Sequence, residues 1–149
     1  MGTRLVLTPL IHVELANIGV SERFYALVDS GADYSYLPYE CAVVLGLNPE
    51  ALEGPVLRNQ GLGGVVPAKF VVLRMTVLDH NAGIPLELEM PFQVPVKEGP
   101  DTKLVLIGRH PFFEWFDVDF RMGFTDDPSL GKWVIREVTG KRDSRRYKG

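Results

Sequence analysis

The chain has one cysteine, Cys41, and three histidines in 149 residues, and both scarcities limit its chemistry. A single cysteine forms no disulfide within the chain, and Cys41 falls in a predicted helix among apolar residues, so we expect a buried, inert thiol. The three histidines (His12, His80 and His110) are scattered and show none of the spacings that zinc sites use. We therefore expect no bound metal.

Long apolar runs are also missing. No run approaches the ~18 residues that a membrane-spanning helix requires. The first residues, 1–4, lead directly into an alternating pattern without the apolar stretch of a signal peptide. From these two observations we expect a cytoplasmic protein with no membrane partner.

Basic residues are few outside the C-terminus. The chain has 16 Lys and Arg against 19 Asp and Glu, but residues 141–149 hold five of the basic residues and one acidic residue. Residues 1–140 therefore carry a net charge of −7, which does not favour nucleic-acid binding because phosphate affinity requires a basic surface. We expect one domain over residues 1–140 and a basic, flexible tail over residues 141–149.

The chain is rich in turn-forming residues, with 15 Gly and 11 Pro that divide it into short segments of mostly period-two alternation. This pattern is typical of an all-β sandwich or barrel. It predicts strands over residues 5–16, 23–28, 70–79, 84–97, 103–107, 117–124 and 132–138. Pro85, Pro91 and Pro95 share one parity in the 84–97 strand, so their missing N–H groups fall on one side, which predicts an edge strand.

Two segments are predicted to be short helices. Residues 38–47 have Pro38 near the start and Gly46 near the end, which is the usual asymmetry of helix ends. Residues 110–116 have Pro111 in the same place and are rich in aromatic residues. We assign those aromatics to the core rather than to a binding surface: Phe112, Phe113, Trp115 and Phe116.

The most informative segment is an apolar strand that ends abruptly in Asp29-Ser30-Gly31-Ala32. A carboxylate there lies on a tight turn, where backbone N–H groups and a hydroxyl can hydrogen-bond to it. Taken alone, this pattern also fits an ordinary strand-to-loop turn. Ser30 is not predicted to be a nucleophile, because no Gly-x-Ser-x-Gly elbow surrounds it.

Two further segments add to this turn. Gly61-Leu62-Gly63-Gly64 interrupts a strand-like region and predicts a bending hairpin tip, since no Lys-Ser/Thr and no helix follow it as in a phosphate-binding loop. Leu106-Ile107-Gly108-Arg109 is an apolar strand broken just before the second predicted helix. With all three segments in this order, the chain resembles the retroviral-type aspartic proteases, the single-domain retropepsins, over roughly residues 6–124.

The resemblance implies a closed all-β barrel with one or two short helices that works as a symmetric homodimer. It implies that Asp29 is catalytic and that Ser30, Gly31 and Ala32 shape the catalytic loop. It also implies that Gly61, Leu62, Gly63 and Gly64 form a flap over a peptide or protein substrate. Asp33 would contact the substrate backbone and pair with Arg109, which supports the loop. His110 and Pro111 depart from the Asn or Asp that usually follows this arginine.

This implied chemistry is peptide hydrolysis by two carboxylates that share one proton, with water as the only other reactant and no cofactor. The chain has one Asp-Ser-Gly, so the second carboxylate would come from a second copy across a twofold axis. The competing hypothesis keeps the fold without the catalysis: a peptide-binding or scaffold module whose groove holds a segment that it does not cut.

Overall fold

The structure is a computed structural model that describes residues 10–61, 64–78, 86–99, 104–121 and 132–137. It opens on a hairpin of two strands, β1 (Leu10–Asn17) and β2 (Val20–Val28). Gly19 makes the turn between them with a φ of +73°, a left-handed conformation that favours glycine. The predicted hairpin is confirmed, although β2 begins three residues before the predicted Arg23.

The remaining predicted elements follow in the predicted order, with a two-residue strand and a single 3-10 turn that the pattern did not predict. After β2 come β3 (Ser35–Tyr36), the helix α1 (Tyr39–Val44) and a single 3-10 turn (Pro49–Ala51). Next are β4 (Leu57–Gly61), β5 (Gly64–Val77), β6 (Leu86–Pro95) and β7 (Val105–Ile107). The helix α2 (Phe112–Trp115) leads into β8 (Phe116–Arg121) and β9 (Lys132–Glu137), which pair as the predicted last hairpin. No helix in the described ranges is long and apolar enough to cross a membrane.

Six strands close into a ring in the order β1, β2, β7, β3, β6, β5 and back to β1. Closure depends on residues 13–16 of β1, which pair antiparallel with residues 74–77 of β5 while β1 also pairs with β2. β4 extends the sheet beyond β5, and β8 with β9 forms a separate two-stranded sheet. The predicted fold class, an all-β closed barrel with short helices, is confirmed. The homodimer stays a prediction. The tail over residues 141–149 also stays a prediction, because it lies outside the described residues.

Alternate residues of the barrel strands fill the core, as period-two patterns require. The first strand contributes Ile11, Val13 and Leu15, which are buried, while the residues between them are partly exposed. The aromatic segment is confirmed as core: Phe112 and Phe116 are buried, and Phe113 and Trp115 pack against the same cluster. Cys41 is only partly buried, so the expectation of a buried thiol was wrong in degree.

The prediction that the proline-containing strand lies at an edge was wrong. β6 pairs with β5 along its whole length and with β3 at Phe92 and Gln93. The backbone of Gln93 faces β3, since its carbonyl accepts from Leu37 N–H at 2.9 Å, and Pro91 and Pro95 share its parity. The N–H groups that Pro91 and Pro95 lack therefore do fall on one side of β6, as predicted. The strand β3 still pairs on that side, because it is only two residues long and lies between the two prolines, against Phe92 and Gln93.

We expect Leu15→Ala to lower the free energy of unfolding by about 2–5 kcal/mol, because Leu15 is 0% exposed where β1 closes the barrel against Met75. Urea unfolding at one fixed protein concentration measures this. Ile18→Ala is the matched control: Ile18 is 96% exposed in the adjacent turn, so its loss should stay within about 0.5 kcal/mol. Equal losses in the two variants would contradict the assigned closure.

Candidate active site

Asp29 directly follows β2 at the edge of the barrel where β7 also ends. β2 and β7 run parallel, and Val28 pairs with Ile107 as the last residue of each strand. The Asp29 N–H donates to the Ile107 carbonyl at 2.9 Å, so the pairing continues one step past both strands. The backbone of Asp29 is therefore fixed by the barrel, and its half-buried side chain lies at the rim.

The Asp29 carboxylate is held by its own turn. Gly31 N–H donates to Asp29 Oδ1 at 2.9 Å, and Ala32 N–H donates to the Asp29 carbonyl at 3.2 Å. This is the local side-chain-to-backbone bonding that Asp favours in turns. A Cβ on Gly31 would lie 3.2 Å from Asp29 Oδ1, so the carboxylate would have to shift by a few tenths of an ångström. Within the described residues, Asp29 Oδ2 has no hydrogen-bond partner, and the neighbouring Ser30 and Gly31 are exposed.

A second loop, residues 107–110, lies against this carboxylate loop and bonds to it residue by residue. Arg109 N–H donates to the Ala32 carbonyl and His110 N–H to the Asp33 carbonyl, both at 2.8 Å. The guanidinium of Arg109 also donates to the Asp33 carboxylate. The structure thus brings Asp29, Ser30, Gly31, Ala32, Asp33 and Arg109 into one site.

The predicted ion pair between Asp33 and Arg109 is present, but it is exposed. The two side chains are 72% and 55% exposed, and a pair of this kind contributes roughly 0–1 kcal/mol. The two main-chain hydrogen bonds between the same loops do not depend on salt or on long flexible side chains. We infer that they, rather than the ion pair, hold the loops together.

Two residues of the site were not among the predicted site residues. Gly108 packs so closely on Tyr34 that a Cβ on it would lie 2.4 Å from the carbonyl carbon and oxygen of Tyr34. Ser35 is fully buried, and its Oγ accepts from Gly108 N–H at 3.1 Å. A usable signal was present: Ser35 has the same parity as the buried Leu37, and a hydroxyl on a buried face requires a partner.

An aromatic group lies beside the carboxylate loop. The ring of Tyr34 meets Phe70 edge-on at 5.1 Å and His110 at 5.6 Å. His110 stands where the resemblance leads us to expect Asn or Asp. Its Nδ1 lies 2.7 Å from Glu114 Oε1, so the start of α2 still has a local polar contact. Tyr34 itself remains 40% exposed.

The glycine-rich segment forms the predicted hairpin. Gly61 pairs with Gly64 as the last rung between β4 and β5, and Leu62 and Gly63 lie outside the described residues. The hairpin belongs to a different part of the sheet from the Asp29 loop, since β5 pairs with β6 and β1. That it bends and covers a ligand stays a prediction.

The histidines are placed apart from one another. His12 stacks on Tyr25 at 4.3 Å within the β1–β2 ladder, His110 lies at the start of α2, and His80 is outside the described residues. In the part of the chain that the structure describes, no three side chains of His, Cys, Asp or Glu come together as a metal site would require.

No protein-family model and no curated protein matches the chain. Among solved structures, it is similar to an EIAV protease complexed with the inhibitor HBY-793, at 18% identity and a TM-score of 0.45, over 76% of this chain and 93% of the other. It is also similar to a retropepsin-like aspartic protease from Rickettsia conorii, at 19% identity and a TM-score of 0.47, over 74% of this chain and 76% of the other. At such identities the likeness concerns the fold and does not extend to the chemistry of the site.

We expect Gly108→Ala to lower the free energy of unfolding by about 1–3 kcal/mol or more, because the new methyl group would displace the Tyr34 backbone. Gly99→Ala is the control. Open space surrounds Gly99 and its φ is not left-handed, so alanine there should be neutral or should stabilise by up to about 1 kcal/mol. Thermal melting of both variants checks this, and a Gly108→Ala protein as stable as the wild type would contradict the close approach.

Proposed function

We propose that the chain is an aspartic endopeptidase that acts as a symmetric homodimer, with Asp29 of each copy as the catalytic pair. The observation that carries the proposal is the Asp29 carboxylate itself. It lies at the rim of the barrel, with one oxygen held by Gly31 N–H and the other without a partner among the described residues. A carboxylate held in this way has a fixed orientation and is not neutralised by an ion pair among the described residues, so it can take part in proton transfer.

Peptide hydrolysis by this route requires two carboxylates about 3 Å apart that share one proton, because like charges at that distance do not both ionise. The ionised carboxylate removes a proton from water, whose oxygen attacks the scissile carbonyl carbon. The protonated carboxyl gives its proton to the carbonyl oxygen. The carboxyl that received the water proton then gives it to the amide nitrogen, and the C–N bond breaks. The other carboxylate takes a proton from a hydroxyl of the intermediate, which yields an acid and an amine and restores the shared proton.

The rest of the site takes supporting roles in this proposal. Ser30, Gly31 and Ala32 shape the loop, and Asp33, which pairs with Arg109, contacts the substrate backbone. The hairpin of residues 61–64 closes over an extended peptide, so that glycine N–H groups approach it closely. The reaction uses water and no cofactor, and it takes place in the cytoplasm.

Asp29→Asn should abolish cleavage, a loss of about 10⁴-fold or more, because the change removes both carboxylates of the dimer. The asparagine oxygen can still accept from Gly31 N–H, so the turn should keep its conformation and the free energy of unfolding should stay close to that of the wild type. The assay is cleavage of a denatured-protein or peptide library, with and without a transition-state-type aspartic-protease inhibitor. Glu22→Gln, which neutralises an exposed carboxylate on the preceding strand β2, is the control and should keep full activity.

An active Asp29→Asn protein would refute the aspartic mechanism. A wild-type protein that binds the peptides or the inhibitor without any cleavage would instead indicate the silent peptide-binding module.

Specific activity should fall on dilution from micromolar to low nanomolar concentration, in step with the dimer fraction measured by sedimentation, because a monomer has half a site. Mixing the wild type with excess Asp29→Asn protein should inhibit it, since mixed dimers carry one carboxylate. Full activity of a monomer would mean that the second carboxylate comes from this same chain.

A further inference from the structure

Ser35 is the one polar side chain that is fully buried among the side chains that the structure describes. A buried hydroxyl is costly unless it is hydrogen-bonded, and an alanine on this face of β3 would avoid that cost. The hydroxyl therefore has a specific partner to serve, and that partner is Gly108 N–H at 3.1 Å.

Gly108 N–H donates to the Ser35 hydroxyl, whereas its neighbours in the chain donate to main-chain carbonyls. The next two N–H groups, of Arg109 and His110, use the carbonyls of Ala32 and Asp33. Gly108 is itself buried, and its α-carbon packs directly on the Tyr34 backbone. Without the Ser35 hydroxyl this donor would be buried and unpaired.

The Gly108 N–H belongs to the same peptide group as the Ile107 carbonyl, which accepts from Asp29 N–H at 2.9 Å. A peptide group is planar and moves as one unit. It is therefore held at its nitrogen by Ser35 and at its oxygen by Asp29. We propose that Ser35 is a positioning residue, which sets the backbone of Asp29 through the Ile107–Gly108 peptide plane.

This role rests on the proposed function, because it affects catalysis only if Asp29 is catalytic. Two carboxylates that share a proton need their positions held to within about 0.5 Å, and a misplacement of about 1 Å can cost 10²-fold in rate. Each copy of a homodimer carries its own Ser35, so a substitution would loosen both carboxylates at once.

The test compares Ser35→Ala with the wild type by amide hydrogen exchange and by steady-state kinetics on the best-cleaved library peptide. Exchange at the Asp29 amide should become about tenfold faster, while the amides of β1 stay unchanged. kcat should fall by about 10- to 100-fold with little change in KM, since the substrate contacts remain. Ser35→Thr retains the hydroxyl, so its Asp29 exchange rate and its kcat should be close to those of the wild type. If Ser35→Ala does not fold, Ser35→Cys replaces it. Because sulfur is a weaker acceptor, Ser35→Cys should show faster Asp29 exchange and a lower kcat, with smaller changes than those expected for alanine.

Leu15→Ala is the control for stability, because it weakens the core away from the site. At a temperature where all variants are folded, its kcat and its Asp29 exchange should match the wild type. Unchanged exchange at Asp29 in Ser35→Ala, or a kcat that falls no further than in Leu15→Ala, would overturn the proposal. If the wild type cleaves no peptide, the protease function fails, and exchange at Asp29 alone decides whether Ser35 positions it.

Discussion

The parallel pairing of β2 with β7 determines where the candidate site lies. Parallel neighbours end at the same edge of a sheet, so the residues that follow them, Asp29 and Gly108, meet although they are far apart in sequence. A parallel pair cannot be closed by a short turn, and here the intervening chain supplies three of the six barrel strands: β3, β5 and β6. The site therefore exists only when β7 has paired with β2.

Main-chain hydrogen bonds, rather than charge, hold the two loops of the site together. The ion pair of Asp33 with Arg109 is the most visible contact, yet it is too exposed to contribute more than about 1 kcal/mol. The carbonyls of Ala32 and Asp33, with the Ser35 hydroxyl, satisfy consecutive N–H groups from Gly108 to His110. The loops therefore do not need the ion pair for their geometry, although Asp33 and Arg109 remain paired with each other.

The sequence predicted the local features of this site and missed the features that depend on distant pairing. The Asp29 turn could be predicted because its bonding partners, Gly31 and Ala32, are its own neighbours in the chain. For Ser35 the sequence offered only its shared parity with Leu37; its partner Gly108 could not be predicted, because it follows a distant strand. The β6 error has the same origin: the prolines correctly marked one side as poor in donors, but only the folded chain brings the two-residue β3 between Pro91 and Pro95.

The carboxylate loop is complete within one chain, and this bears on how a homodimer would assemble its active site. Among the described residues, the contacts that orient Asp29, from Gly31 N–H to the Ile107 carbonyl, lie within one copy. If the chain dimerises as proposed, association would bring together two loops whose backbone is already held by hydrogen bonds within each copy. The entropy of fixing each carboxylate would then be lost on folding and not on association. More of the free energy of association would remain to hold the two carboxylates close enough to share a proton.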